Sequence, residues 1–388
     1  MENKAKNILL FSTAYFPFVG GAEVAVKEIT DRILDVEFDM ITARMKRKLP
    51  KFERIGNINI YRIGIGYPFF DKCYLAFCGH KIAAKLHRKN KYQAVWAIMA
   101  SFGGLAASAF KNRNRNIPFL LTLQEGDDFE YISKRTFFIR RRFKNIFFQA
   151  NYVQAISNYL AEWAKKMGAV CPVEVVPNGV DINKFSINNF PASPAGGQFL
   201  ISDIKKKLAI KEDEKVVITV SRLVKKNGVG DLIGAMKDVE AKLLICGIGN
   251  EENKLRELVK SLNIENKVLF LGHVPHDELS KYLAISDVFC RPSLSEGLGN
   301  VFLEAMAAGT PVIATPVGGI PDFLFDEKTG WFCEVKNPKS ISEKIKWIFD
   351  EKNKEEVDEI TAAAARLVEE KYNWEKIAVK MREIFVNL

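Results

Sequence analysis

The 388-residue chain has six cysteines, at 73, 78, 171, 246, 290 and 333, and no two of them form a CxxC pair. The metal and redox readings of that motif therefore have no foothold. Cys246 and Cys290 sit inside apolar runs, where reduced core thiols are expected, and a reducing cytoplasm fits that usage. Histidine is scarcer: four in all, at 80, 87, 273 and 276. No uncharged apolar run approaches the roughly 18 to 20 residues that cross a bilayer. The opening MENKAKNILLFSTAYF has a short apolar run and no small-residue cleavage site, so it reads as a first strand, not a signal peptide. Acids are what the first half lacks. Residues 1–178 hold 28 Lys and Arg against 15 Asp and Glu, a net +13, and the remainder carries −3 of the overall +10. A basic half suggests membrane lipid, nucleic acid or a phosphorylated substrate as partner; a solubilising surface explains it equally.

What is present is ordinary in bulk: 48% hydrophobic and 27% charged residues, in a chain longer than one core usually holds. Two domains are the expectation. NILLFST (7–13) reads as a buried strand, followed by a glycine turn and the helical spacing of AEVAVKEITDRILD. The order returns at KVVITVSR (215–222) and GDLIGAMKDV, with further buried strands at AKLLICG, KVLFLG, DVFCRPS and TPVIATP. Buried strands alternating with helices predict parallel sheets with βαβ crossovers. Two such series predict an α/β protein of two Rossmann-like doubly wound domains facing a central cleft. The boundary is placed in VEVVPNGVDINKF, so that 1–178 and 179–371 form the two domains and a last helix from about 372 to 388 crosses back to the first. INNFPASPAGGQFLISD (187–203) reads as a surface loop, and the chain from 355 onward as helical throughout.

RPSLSEGLGNVFLEAMAAG (291–309) combines two acids, Glu296 and Glu304, with two glycines in an otherwise apolar stretch. A strand ending near Pro292 leads through a loop into a helix that begins near Asn300. Such loops lie beyond the carboxyl ends of parallel strands, where ligands bind, and the following helix start offers free N–H groups to a phosphate. Gly297 and Gly299 allow close approach of the backbone. A carboxylate accepts hydrogen bonds, and sugar hydroxyls donate them. The two acids are thus read as gripping the two sugars of a nucleotide-sugar with its diphosphate between them. A solvated loop acid and a solvent-facing helix residue remain the plain alternative from this local pattern.

SEGLGNVFLEAMAAGTPVIATPVGGIPDFL resembles the E-x7-E signature of the retaining glycosyltransferases of the GT-B fold, family 4. The resemblance continues at VVPNGVDINKF, SRLVKKNGVGDLIGAM, LLICGIGNEENKL, LFLGHVPHDEL, YNWEKIA and the first loop, YFPFVGGAE. It implies a GT-B fold with an acceptor-binding first domain and a nucleotide-sugar-binding second one. It implies Glu304 as the ribose acid, Glu296 as the donor-sugar acid, and Gly297, Leu298, Gly299, Asn300 and Val301 as the cradle for sugar and phosphate. Arg222 matches the diphosphate arginine. The family's usual lysine falls on Asn227, because this chain reads RLVKKNG, so Lys226, or Lys225, is left to supply the second cation. Gly20 and Gly21 match the loop that approaches donor phosphate and acceptor; PFVGGAE is not a dinucleotide G-x-G-x-x-G. Many relatives carry histidine where this chain has Gln124, so no histidine base is assigned. Gln124 and Glu125 are candidate contacts to donor sugar or acceptor, with Asp127 and Asp128 beside them, and a solvated acidic loop is the alternative. His273 and His276 read as surface groups.

The implied reaction is hexosyl transfer with retention, from a UDP- or GDP-linked sugar to a hydroxyl on a glycan or lipid-linked glycan of the kind used in cell-surface polysaccharide synthesis. The chain has no D-x-D, so neither metal nor cofactor is expected. A non-catalytic or epimerase-type user of nucleotide-sugars is the runner-up. SKRTFFIRRRFKNIFFQA (133–150) mixes six basic residues with five phenylalanines, and YPFFDKCYLAF adds aromatics. Phe137, Phe138, Phe143, Phe147 and Phe148 are read as the lipid side of an interfacial helix, making an anionic membrane surface a partner on the inner face of the membrane; a core helix with one cationic face is the alternative. No nucleic-acid-binding module is seen, and nucleic acid is not an expected partner.

Overall fold

The computed structural model describes residues 6–185 and 196–388. The chain forms two compact units, residues 1–178 with Trp374–Leu388, and Gly179–Asn373. In the first, strands β1 (Lys6–Phe11), β2 (Val36–Ala43), β3 (Phe52–Ile55), β4 (Ile58–Ile63), β5 (Ala94–Ile98), β6 (Phe119–Leu123), β7 (Tyr152–Ala155) and β8 (Val173–Val175) form one sheet in the order 3-4-2-1-5-6-7-8. Every pairing is parallel except the β3–β4 hairpin at its edge. β5 and β6 are buried along their whole length, as a strand covered on both faces requires.

In the second unit β9 (Val216–Val220), β10 (Lys242–Cys246), β11 (Val268–Gly272), β12 (Val288–Arg291), β13 (Val312–Ala314) and β14 (Trp331–Phe332) are all parallel, in the order 11-10-9-12-13-14. Counted within the unit this is 3-2-1-4-5-6, the doubly wound order whose direction reverses between its first and fourth strands. Here those are β9 and β12, paired at Val288–Val217 and Phe289–Ile218. The crevice beyond their carboxyl ends is where such a sheet receives ligands.

Three expectations change. Gly196–Lys207 is a helix, not loop; the rest of the stretch expected as loop, 187–195, lies outside the described residues, as do residues 1–5. The C-terminal segment is two helices, Lys354–Lys371 and Trp374–Asn387, broken at 372–373. Phe143 and Phe147 face the core, where their rings meet Trp163, because helix Arg140–Gln149 packs them inward with Ile146. Phe137, Phe138 and Phe148 remain exposed.

Helix Trp374–Asn387 belongs to the first unit. Trp374, Ile377, Met381 and Phe385 join its core, and the Phe385 ring lies 4.9 Å from Trp96 and 5.7 Å from Phe38. Burying such a ring fully contributes about 1.5–3 kcal/mol. Within the second unit its two ends are bonded to each other, Val180 N–H donating to Tyr372 O at 2.6 Å. Phe385→Ala is expected to cost the first unit about 3–5 kcal/mol in urea unfolding and to leave the second unit's transition unchanged; a shared shift in both transitions would count against this packing.

Candidate functional site

Arg222 follows β9, and the loop 292–299 follows β12, so the switch point of the second sheet brings them to one place. Arg291, the last residue of β12, is buried and forms an ion pair with Glu296. Its Nε also donates to Ser293 Oγ at 3.0 Å, and its guanidinium lies 4.7 Å over the Phe302 ring. Burial and then the nearby Arg222 charge both push the Arg291 pKa down, and the Glu296 carboxylate is the counter-charge that holds the cation. Glu296 Oε1 accepts the Gly297 N–H at 3.0 Å.

The loop is braced from outside its own segment. Gly319 N–H donates to Glu296 O at 3.1 Å, and a Cβ on Gly318, at φ +59°, would sit 1.8 Å from that same oxygen. A Cβ on Gly228 would sit 1.9 Å from Pro292 O. Only glycine permits these approaches. Gly299, at φ +87°, opens helix Asn300–Ala307, and a Cβ there would strike the Phe302 ring at 2.6 Å. Leu298 is buried, while Asn300 and Val301 in the first turn are partly exposed. Those first N–H groups have no partner within the helix, and the dipole favours an anion there.

Glu304, in the second turn, is 8% exposed, so it faces inward and not into solvent. Its Oε1 is 2.8 Å from His276 Nε2, and His276 Nδ1 is 3.0 Å from Lys184 Nζ. His276 is exposed, as expected of a surface group, and is also hydrogen-bonded into this cluster. The diphosphate cations are less evenly placed. Arg222 and Lys225 are exposed and Lys226 is partly exposed. Asn227, where the usual lysine would fall, is buried and donates to Arg222 O at 2.7 Å, closing the turn that follows β9. Lys225 lines a separate 300 Å3 cavity with Gly228, Asp231 and Lys336.

The remaining candidates lie in the first unit, Gly20 and Gly21 after β1 and Gln124, Glu125 and Asp128 after β6. Gly20 and Gly21 are exposed at the start of helix Gly21–Arg32, Gly20 in an extended conformation with its carbonyl accepting Val24 N–H at 3.1 Å. Gln124 accepts from Asn178 Nδ2 at 3.3 Å. Asp128 caps helix Phe129–Thr136, accepting from Glu130 N–H at 2.8 Å. Glu125 is buried; its Oε1 accepts Ala100 N–H at 2.6 Å and its Oε2 accepts Gln124 N–H at 2.9 Å. Burial outweighs those bonds, which favour the charged form, and pushes its pKa up to about 7. Sequence reasoning does not pick out Arg291 or His276 as site residues, although Arg291 opens the stretch RPSLSEGLGNVFLEAMAAG and His276 lies in LFLGHVPHDEL: one reads as a strand end, the other as a surface histidine.

Residues 201–374 match the family described as Glycosyl transferases group 1, and residues 19–184 match Glycosyltransferase Family 4. An uncharacterized glycosyltransferase of Methanocaldococcus jannaschii is 27% identical over 95% of this chain and 94% of its own. Sucrose-phosphate synthase of Thermosynechococcus elongatus superimposes with a TM-score of 0.83 at 21% identity, covering 98% of each chain. An Anabaena protein, HepE, solved with UDP and glucose, superimposes at 0.79 with 19% identity, over 99% of this chain and 100% of its own.

Because the folded-state pKa of Glu125 lies above its unfolded value, its carboxyl favours the folded state fully below about pH 4.5, and that contribution is lost as pH rises through about 7. Between pH 5 and 8 the first unit is expected to lose on the order of 3 kcal/mol that Glu125→Gln does not lose. Parallel pH–stability curves for the two proteins would contradict the buried carboxyl.

Proposed function

The chain belongs to the group 1 glycosyltransferases of family 4, with the GT-B fold, and from that premise we propose that it transfers a hexose, with retention of configuration, from a UDP- or GDP-sugar to a hydroxyl of a glycan or lipid-linked glycan. The observation that carries the reading is the β9–β12 switch point. Arg222 follows β9, and the buried Arg291–Glu296 pair, the glycine-bounded start of helix Asn300–Ala307 and Glu304 one turn further in follow its neighbour β12. The nucleotide-sugar assignment draws support from the UDP and glucose held by HepE. In this reading the second unit binds the donor; in the first, Gly20 and Gly21 approach donor phosphate and acceptor and Gln124 contacts a sugar hydroxyl. The buried Glu125, with both oxygens bonded to backbone N–H groups, braces that loop and does not make the substrate contact expected of it.

Cleaving the sugar–phosphate bond puts negative charge on the departing diphosphate. The N–H groups of 300 and 301, Arg222 and Lys226 are the groups assigned to receive it, with no metal in the step. Glu304 accepts from the ribose hydroxyls and Glu296 from the donor sugar. Glu296 is already pinned by Arg291, so it orients the sugar; the acceptor's proton passes to the leaving diphosphate as the new glycosidic bond forms on the same face. Cell-surface polysaccharide synthesis is the setting this acceptor class suggests.

A membrane surface is the second partner proposed. Helix Pro68–Asn90 presents outward Phe70, Tyr74, Phe77, Lys81, Lys85 and Arg88, a stripe that is aromatic in one half and basic in the other. Arg142 lies over Phe77 at 5.8 Å, joining this stripe to the segment that exposes Phe137, Phe138 and Phe148. Phe138, 96% exposed, has no core role. Aromatics beside Lys and Arg suit an anionic bilayer's interface, and the reading places the attachment, as a proposal, at the cytoplasmic face.

Glu304→Gln and Arg222→Ala are each expected to lower sugar transfer at least 100-fold with the melting temperature held, and wild-type turnover is expected to survive EDTA; full activity in either variant sinks the site assignment. Co-sedimentation is expected with phosphatidylglycerol vesicles and not with phosphatidylcholine, weakening in high salt and in Phe137→Ser/Phe138→Ser. An absence of binding to the anionic vesicles at low salt ends the membrane proposal.

A further inference from the structure

Lys184, His276 and Glu304 form a hydrogen-bonded row within the second unit. Lys184 stands in the short helical turn Ile182–Phe185, His276 in the loop after β11, and Glu304 in helix Asn300–Ala307. The row has a direction. An ammonium group has donors only, so the 3.0 Å contact makes His276 Nδ1 the acceptor. The neutral ring then carries its proton on Nε2 and donates it to Glu304 Oε1, 2.8 Å away. The ring is also held sideways by the buried Phe185, centroid to centroid 5.5 Å. Among the described residues no hydrogen bond reaches Glu304 Oε2.

We propose that His276, set by Lys184, is a positioning residue for the nucleotide: it fixes the rotamer of Glu304 so that Oε2 is aimed at the ribose hydroxyls before the ligand arrives. This rests on the reading that Glu304 receives the ribose. A carboxylate on a glutamate side chain has three rotatable bonds. Tethering one oxygen removes most of that freedom in the free enzyme, so less ordering is left to oppose binding. Lys184 lies in the segment VVPNGVDINKF, so the nucleotide acid is tethered through one imidazole to the stretch of chain that enters this unit.

The test is a double-mutant cycle read by calorimetric titration of the full-length protein with UDP and, separately, GDP. His276→Ala is expected to weaken the preferred nucleotide about 10-fold, and His276→Gln, which keeps an acceptor and a donor on one side chain, to restore most of the loss. In the Glu304→Ala background His276→Ala is expected to add nothing, because its effect passes through the carboxylate. His276 is half-exposed, and unchanged melting temperatures check that the fold is retained. If Glu304→Ala weakens binding but His276→Ala has no effect, or has the same effect in both backgrounds, the positioning role is overturned and Glu304 keeps its own. If Glu304→Ala binds both nucleotides as the wild type does, the ribose assignment itself falls.

Discussion

The second unit's site hangs on one buried ion pair. Arg291 leaves β12 pointing into a region that excludes water, and a lone guanidinium there is costly by several kcal/mol. Glu296, five residues on, supplies its counter-charge. To do so the chain between them has to turn back on itself, and that turn is the loop that carries Gly297, Leu298 and Gly299 to the helix start. Ser293 anchors the turn at one side through Arg291, and Thr315 Oγ1 reaches Ser293 O at 2.5 Å from the far side. The apolar run around the acids is therefore the low-dielectric setting that makes the pair rigid. Replacing either partner alone leaves the other uncompensated, so function and local stability are coupled there.

This coupling also separates the two acids. Glu296 is clamped by a full positive charge, whereas Glu304 is tethered by an imidazole that itself leans on a cation one step removed. The first hold is strong and short in range. The second is a chain of two bonds that leaves one carboxylate oxygen unengaged among the described residues. Two glutamates eight positions apart thus sit in unlike environments, one supporting the loop and one oriented by its neighbours.

The parallel order of both sheets was legible because buried strands leave continuous Val, Ile, Leu and Phe runs between helical patterns, as in KVVITVSR and AKLLICG. The reversal of strand order, which decides where a ligand sits, is set by pairing between β9 and β12, some 70 residues apart in sequence, and no local pattern reports it. The glycines of 297–299 showed where backbone comes close to something, but Gly228 and Gly318 owe their identity to Pro292 and Glu296 across space. His276 carried no periodicity, since its partner lies on a helix 28 residues later. Phe143 and Phe147 were assigned the wrong side because basic residues crowd that segment; the i, i+4 spacing that places them together on the core face was equally available. Gly196–Lys207 was hidden by the Pro- and Gly-rich composition just before it.

The first unit is closed by residues that come after the whole of the second. Phe38 and Trp96 are sealed by a helix drawn from 374–387, so nearly two hundred residues of intervening chain are synthesised before the seal exists. On the ribosome the interrupted unit waits with an open apolar groove while the inserted unit can finish its own core. Order of birth and order of completion are therefore reversed in this protein, and the nascent chain's vulnerable moment is the wait for its own tail.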